Sequence, residues 1–386
     1  MSEAVQICQE LIRAKSLSGE ENKVVDVVRA FMEQYGFDDI TVDAYGSITG
    51  TVNGNRPGKT MLFDAHIDTV PVIDEAQWEH PPFGAKITDG KIFGRGTSDM
   101  KGALAAMLEA GRLLAKDRNF AGKYVVAGVV HEECFEGIAA RAISKRIAPD
   151  YVVIGEASQL KINCGQKGRA EIVLETFGSS AHSANPEKGV NAAYHMAKLV
   201  YEIEKLPFTR HPVIGDGVFA LTDIKSSPYP GASVIPSYCR ATFDRRILPG
   251  ENKEDLCQPF EHVIEKLAAE DSSFQAKVFI TSGEEKCYTG ETIQGERYFP
   301  AWLFDENSDF VNAVKEGVKE SGIVPQIGYY AFCTNGSHYA GEAGIQTIGF
   351  GPSLESLAHV RNEYIEIDQL EKAAQGYYHI AQSVLK

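Results

Sequence analysis

The chain has 386 residues, 44% of them hydrophobic, which is enough for a substantial buried core and for one to three domains. Its 53 acidic and 38 basic side chains leave a net charge of −15, which argues against nucleic acid or an anionic membrane surface as partner. The seven cysteines (8, 134, 164, 239, 257, 287 and 333) are odd in number, widely scattered and without a Cys-x-x-Cys pair, which argues against a disulfide framework or structural zinc knuckle, and a reducing compartment fits best.

Met1 to Lys15 lacks the basic start and apolar stretch of a secretory signal, and no apolar run approaches ~20 residues, so a cytoplasmic protein is expected. Val24, Val25, Val27, Val28, Ala30, Phe31 and Met32 follow a helical spacing, with Ser18 and Glu21 as a capping box ahead of them. An apolar strand at 60–65, a helix at 100–116, a strand at 124–130 and a strand at 151–154 come next. Strands alternate with helices and read as nearly continuous apolar runs, as a sheet covered on both faces requires, so the first ~165 residues predict a mostly parallel α/β domain. From about Gln166 the order becomes strand 170–176, helix 191–205, strand 240–246, helix 256–269 and strand 276–281. This predicts an α+β insertion, with Gly165, Gly168 and Gly283 near its ends. Helical 310–320 and apolar 346–350 then return to the first domain.

Each of the three early strands is followed at once by imidazole or acidic groups: His66 and Asp68, then His131, Glu132 and Glu133, then Glu156. Parallel sheets gather ligands at the carboxyl ends of their strands, so one cleft can collect all of these. A two-metal hydrolytic site needs imidazoles and carboxylates as ligands, a bridging carboxylate holding the cations ~3.5–4 Å apart, and a separate base. Alternation puts His66 and Asp68 on one face, where the Asp68 carboxylate is expected to orient the far nitrogen of His66. Asp99, where a turn meets a helix N-terminus, is the candidate bridge. Adjacent Glu132 and Glu133 divide naturally into a base and a ligand. Singly, each feature has a plain structural reading: a strand-end histidine, a helix cap, a solvated turn. Three strand ends carrying ligand chemistry in one α/β unit are poorly explained by coincidence.

At Asp64-Ala65-His66-Ile67-Asp68, Gly94-Arg95-Gly96-Thr97-Ser98-Asp99-Met100-Lys101-Gly102, His131-Glu132-Glu133, Gly155-Glu156-Ala157, Ser180-Ala181-His182-Ser183 and Ala358-His359-Val360-Arg361-Asn362-Glu363, the sequence resembles the dinuclear zinc aminoacylase, carboxypeptidase G, succinyl-diaminopimelate desuccinylase and acetylornithine deacetylase metallopeptidase family. The resemblance covers essentially the whole chain. It implies a zinc-hydrolase catalytic domain at 1–165 and 285–386 and an inserted, ferredoxin-like lid and dimerisation domain at 166–284. It implies that His66 and Glu156 hold one divalent ion and Glu133 and His359 the other, with Asp99 bridging; the ions are zinc, or cobalt or manganese, which share such ligands. Glu132 is then the base that activates a metal-bridging water, Asp68 supports catalysis, and His182 polarises the scissile carbonyl. Arg246 matches a lid arginine that binds the substrate carboxylate, and Asn335 lies in a loop lining the substrate pocket. The chain departs from the pattern at Ser233, where many relatives carry asparagine. Tyr288-Thr289-Gly290 and 298–302 are most similar to the subgroup of selenium-metabolism-linked hydrolases. The expected substrate is an N-acyl amino acid or short peptide, and the expected assembly a homodimer. The rivals are an aminopeptidase or dipeptidase of related architecture and a non-catalytic binding protein.

Overall fold

Met61, Leu62, Phe63 and Ala65 are consecutive or nearly so and all fully buried, so their strand must be covered on both faces. That strand, Arg56–His66, lies inside a nine-stranded sheet in the computed structural model, which describes residues 2–386. The strand order is Asp39–Val42, Ile48–Asn53, Ala121–Val129, Arg56–His66, Tyr151–Ile154, Gln346–Gly349, Ile162–Gln166 and Trp302–Leu303, with Ile327–Tyr330 also pairing Ile162–Gln166. The four central strands, from Ala121–Val129 to Gln346–Gly349, are mutually parallel, so their carboxyl ends emerge along one edge. Helices Gly102–Asp117 and Asp309–Glu320 each pack on Ile367–Val384. Gly317 allows the second contact, since a Cβ there would meet the Cα of Ile380 at 2.6 Å.

The chain divides into two compact units: the first holds residues up to Gln166, Glu284–Gly295 and Trp302–Lys386, the second Lys167–Gly283 and Glu296–Ala301. In the second unit the antiparallel order is Val218–Ser227, Tyr238–Ile247, Gly168–Phe177 and Gln275–Ile280, with helices Ala192–Ile203 and Gln258–Glu270 contributing to its apolar core. Tyr238–Ile247 alternates buried and half-buried positions along its full length, as a sheet with one covered face demands.

Three local expectations need correction. The insertion gains a strand, Val218–Ser227, at the sheet edge; Val218, Leu221 and Ile224 lie exposed there, so no buried-face pattern announces it. With it the order becomes the strand-helix-strand-strand-helix-strand of a ferredoxin-like layer. Residues 296–301, expected with the catalytic segments, belong to the second unit because Tyr298 and Phe299 pair with Ala170 and Arg169. The capping box does not form: Glu21 is the N-cap of helix Asn22–Gln34 without a side-chain cap bond, and the Ser18 hydroxyl donates to Asp68 Oδ2 at 2.7 Å. All seven cysteines are free thiols. Among the described residues, no helix is long and apolar enough to cross a membrane.

Candidate metal centre

The carboxyl edge of the four parallel strands supplies the site. His66 is the last residue of its strand, Glu132 and Glu133 follow Ala121–Val129, Glu156 follows Tyr151–Ile154, and the loop after Gln346–Gly349 carries His359. Asp99 comes from the crossover that leads from the His66 strand into helix Gly102–Asp117.

Asp99 is the centre of the arrangement. Its Oδ1 lies 2.9 Å from Nε2 of His66, and its Oδ2 lies 3.0 Å from Nε2 of His359. On the first side Glu156 Oε1 is 3.4 Å from His66 Nε2, and on the second Glu133 Oε2 is 3.0 Å from His359 Nε2. Each oxygen of one carboxylate thus faces one imidazole–carboxylate pair. Glu132 and Glu133 part company, as adjacent residues past a strand end do: Glu133 turns to His359 at 3.0 Å, with a ligand atom also within 4.8 Å of His66 and Asp99, whereas Glu132 puts an oxygen within 4.8 Å of donor atoms of His66 and Glu156. Ligand atoms ~2.1 Å from one tetrahedral ion sit about 3.4 Å apart, so these spacings suit nitrogen and oxygen donors closing on cations.

Charge balance points the same way. Burial raises Glu132 well above its usual range; burial and the Asp99 charge raise Glu133 and take Glu156 to about 8. Burial would push His66 down, but the Asp99 hydrogen bond and the charges of Glu156, Asp99 and Glu132 outweigh it and hold its proton well above the ordinary imidazole value. Hydrogen bonds to Asp99 and Glu133 raise His359 to about 10. Burial opposes ionisation of Asp99 as well, yet His359 and His66 pull it below the usual carboxylate range. Three glutamates and two imidazoles around Asp99 therefore all have raised proton affinity, protons standing where cations would replace them, and such a donor set fits two divalent ions.

Two anchors hold this arrangement, and one differs from expectation. His66 Nδ1 bonds the main-chain carbonyl of Asp68 at 2.9 Å, not its carboxylate, whose Oδ1 lies 3.7 Å away. Asp68 is fully buried and its oxygens accept instead from the backbone N–H of Glu132 at 3.1 Å and of Glu133 at 3.2 Å, besides the Ser18 hydroxyl. The turn brings two N–H groups with no ladder partner over Asp68, and they claim its carboxylate. Asp68 therefore fixes the Glu132-Glu133 turn. The second anchor is Glu363, whose role the sequence motif concealed: it accepts from the N–H of Ser98 at 2.8 Å and of Asp99 at 3.1 Å, and from Arg95 Nη1 at 2.6 Å.

A model of peptidase family M20/M25/M40 matches residues 62–383, the span that carries His66, Asp68, Asp99, Glu132, Glu133, Glu156, His359 and Glu363. The chain belongs to peptidase family M20/M25/M40. It is 31% identical to the uncharacterized protein YgeY of Escherichia coli (strain K12) over 369 residues, 94% of this chain and 89% of that one. It is 26% identical to succinyl-diaminopimelate desuccinylase of Hydrogenovibrio crunogenus over 399 residues, covering 98% and 97% of the two chains. Aminopeptidase PepT of Bacillus cereus shares the fold with a TM-score of 0.77 and 23% identity over 100% of this chain and 98% of that one. The M20/M25/M40 chain is thus a metal-dependent hydrolase of amide bonds.

The remaining site candidates of this family member each have partners of their own. Asn335, in the first unit, is only 2% exposed and has both ends of its amide engaged: Nδ2 donates to Asp64 Oδ1 at 3.0 Å and Oδ1 accepts from the Gly137 N–H at 2.8 Å. Its side chain is therefore an internal clamp. In the second unit, exposed His182 pairs with Val234 in an isolated bridge, and its Nδ1 faces the Ala184 N–H at 3.0 Å. Accepting there assigns the ring proton to Nε2. The main-chain oxygen of Ser233 accepts from the Ser183 N–H at 2.8 Å, so that position holds the His182 turn through its backbone. Arg246, on strand Tyr238–Ile247, keeps its Nε 2.7 Å from Asp244 Oδ1, and Asp244 also accepts from Arg169 Nε at 2.7 Å.

Proposed function

We propose that this chain is a two-metal hydrolase that removes the acyl group from an N-acyl amino acid or cleaves a short peptide carrying a free carboxylate. The observation that carries the reading is the division of Asp99, one oxygen toward His66 and Glu156, the other toward His359 and Glu133. His66 with Glu156 and His359 with Glu133 would hold the two ions, with Asp99 shared. Bound there, divalent zinc, or cobalt or manganese, would polarise the amide carbonyl and acidify water.

Glu132 is the base. It remains outside the Asp99–His359 pairing, and burial raises its proton affinity well above that of an ordinary carboxylate, the direction a group that takes and returns a proton needs. It takes a proton from the attacking water and delivers it to the leaving amine. Asp68 keeps Glu132 in place through the backbone of its turn. His182, with its proton on Nε2, supplies a donor for the carbonyl oxygen, and Arg246, held by Asp244 through both Nε and Nη2, presents the guanidinium N–H groups that remain to the substrate carboxylate.

A homodimer through the second unit belongs to this reading. The edge strand Val218–Ser227 has Val218, Leu221 and Ile224 exposed, and a partner strand or helix would cover them. The test is a screen of N-acetyl and N-succinyl amino acids and dipeptides with enzyme stripped by chelator and reloaded with zinc or cobalt. Metal-dependent release of an amine from carboxylate-bearing substrates supports the reading. Hydrolysis that persists in chelator, or that requires a free substrate amine and ignores the carboxylate, contradicts it.

A further inference from the structure

Asp64 is buried at 1% exposure, two residues before His66 on the same strand and hence on the same face. It is absent from the ligand pairs around Asp99, and a buried carboxylate without a cation is costly unless its lone pairs are filled. Two donors fill them: Asn335 Nδ2 at 3.0 Å on Oδ1 and the Tyr339 hydroxyl at 2.9 Å on Oδ2. Both donors come from one short segment, Ser337–Glu342 and the residues just before it, and both are themselves buried.

The other end of Asn335 reaches the neighbouring strand's loop. Its Oδ1 accepts from the N–H of Gly137, the residue that ends the turn carrying Glu132 and Glu133. Gly137 has φ +88, and a Cβ there would lie 2.9 Å from the His338 Cβ and 3.0 Å from the Ser337 Oγ, so only glycine lets this segment seat against the turn. One amide thus ties the His66 strand to the far end of the Glu132-Glu133 turn, which Asp68 holds at Glu132 and Glu133 themselves.

We propose that Asp64 and Asn335 are positioning residues that fix the separation between the His66 and Glu133 halves of the metal centre. The inference rests on the two-metal reading and concerns metal geometry, not substrate contact. Groups hydrogen-bonded directly to metal ligands typically govern metal affinity by about 10- to 100-fold; Asp64 and Asn335 act one step further out, through the strand and turn that carry His66 and Glu133, so the low end of that range is expected.

The pairing can be reversed, which makes it testable. Asn335→Asp alone sets two carboxylates face to face and removes the donor. Adding Asp64→Asn restores every bond with the charge exchanged: the amide at 64 donates to the carboxylate at 335, that carboxylate still accepts from Gly137, and Tyr339 donates to the amide oxygen. The readouts are Zn²⁺ affinity, by competition with a chromophoric chelator, and the electronic absorption spectrum of the Co²⁺-loaded protein, on samples folded by circular dichroism. Asn335→Asp should lose about tenfold or more in Zn²⁺ affinity and change the Co²⁺ bands. The exchanged pair should return the affinity to within about threefold of wild type, because the coupling energy is recovered. If Asn335→Asp does not fold, Tyr339→Phe, which deletes one bond to Asp64 and keeps the ring, is read by the same two measurements and should weaken affinity in the same direction. A folded variant with wild-type affinity and spectrum overturns the inference, as does failure of the exchanged pair to recover. Wild-type protein that binds no Zn²⁺ overturns the two-metal reading and this inference with it, whereas wild-type binding with unaffected variants removes only the inference.

Discussion

Replacing Glu363 with glutamine tests how the bridging aspartate is held. Glu363 is 0% and Arg95 4% exposed, and their closest atoms are 2.6 Å apart. Glutamine can still accept the Ser98 and Asp99 N–H groups through its carbonyl oxygen, so the change falls on Arg95, which is left as a buried guanidinium facing an amide N–H₂. Breaking one partner of a buried pair costs about 3–5 kcal/mol. At about 2–4 °C per kcal/mol for a unit of this size, the melting transition should fall by about 6–20 °C. The scan is run on chelator-treated protein by circular dichroism, so that lost metal does not contribute, and zinc content is measured separately on the folded variant. Asp99 loses the charge behind its backbone amide, so zinc content should fall as well. A transition within about 2 °C of wild type would refute the argument, because it would mean that the Arg95–Glu363 pair is not desolvated as its burial implies.

Ser18→Ala removes a hydroxyl bonded to the buried Asp68 carboxylate and should lower stability to urea by about 1.5–3 kcal/mol; a loss under a few tenths would mean that water replaces the hydroxyl. Arg246→Ala should raise KM for carboxylate-bearing substrates by about 10- to 100-fold with kcat little changed, measured in steady-state kinetics. An unchanged KM would remove the arginine from substrate recognition. Leu221→Lys with Ile224→Lys should convert a dimer into a monomer by light scattering, since two charges would sit on the exposed edge strand.

The strand ends were legible because a fully buried parallel strand is a long apolar run, and the polar residue that stops it must sit at the sheet edge where ligands collect. That is why His66, Glu132, Glu133 and Glu156 were readable as neighbours from the residues, whereas His359, ten residues beyond Gln346–Gly349 in a loop, came only through the family resemblance. What escaped were partners chosen across distance. Ser18 and Glu21 have capping-box spacing, yet the hydroxyl finds a buried carboxylate fifty residues away, a stronger acceptor setting than a helix end exposed to water. Asp68 has the right alternation to face His66, but two backbone N–H groups of another strand's turn reach it first. Asn335 looked like a turn residue beside a pocket because its sequence neighbours are glycine and threonine; its acceptor and donor lie on residues 137 and 64. The strand Val218–Ser227 was invisible since an edge strand with exposed apolar groups has no pattern of period two.

The proposed mechanism depends most directly on Glu132 being a base and not a ligand. Glu132→Gln keeps the size of the side chain and removes only its capacity to carry a proton, so metal analysis and turnover of the same purified sample separate the two roles. The account predicts about two metal equivalents per chain, as in wild type, with turnover reduced by about 100-fold or more. A variant that keeps wild-type turnover with its metal in place, or one that is inactive because it has lost a metal ion, would contradict it.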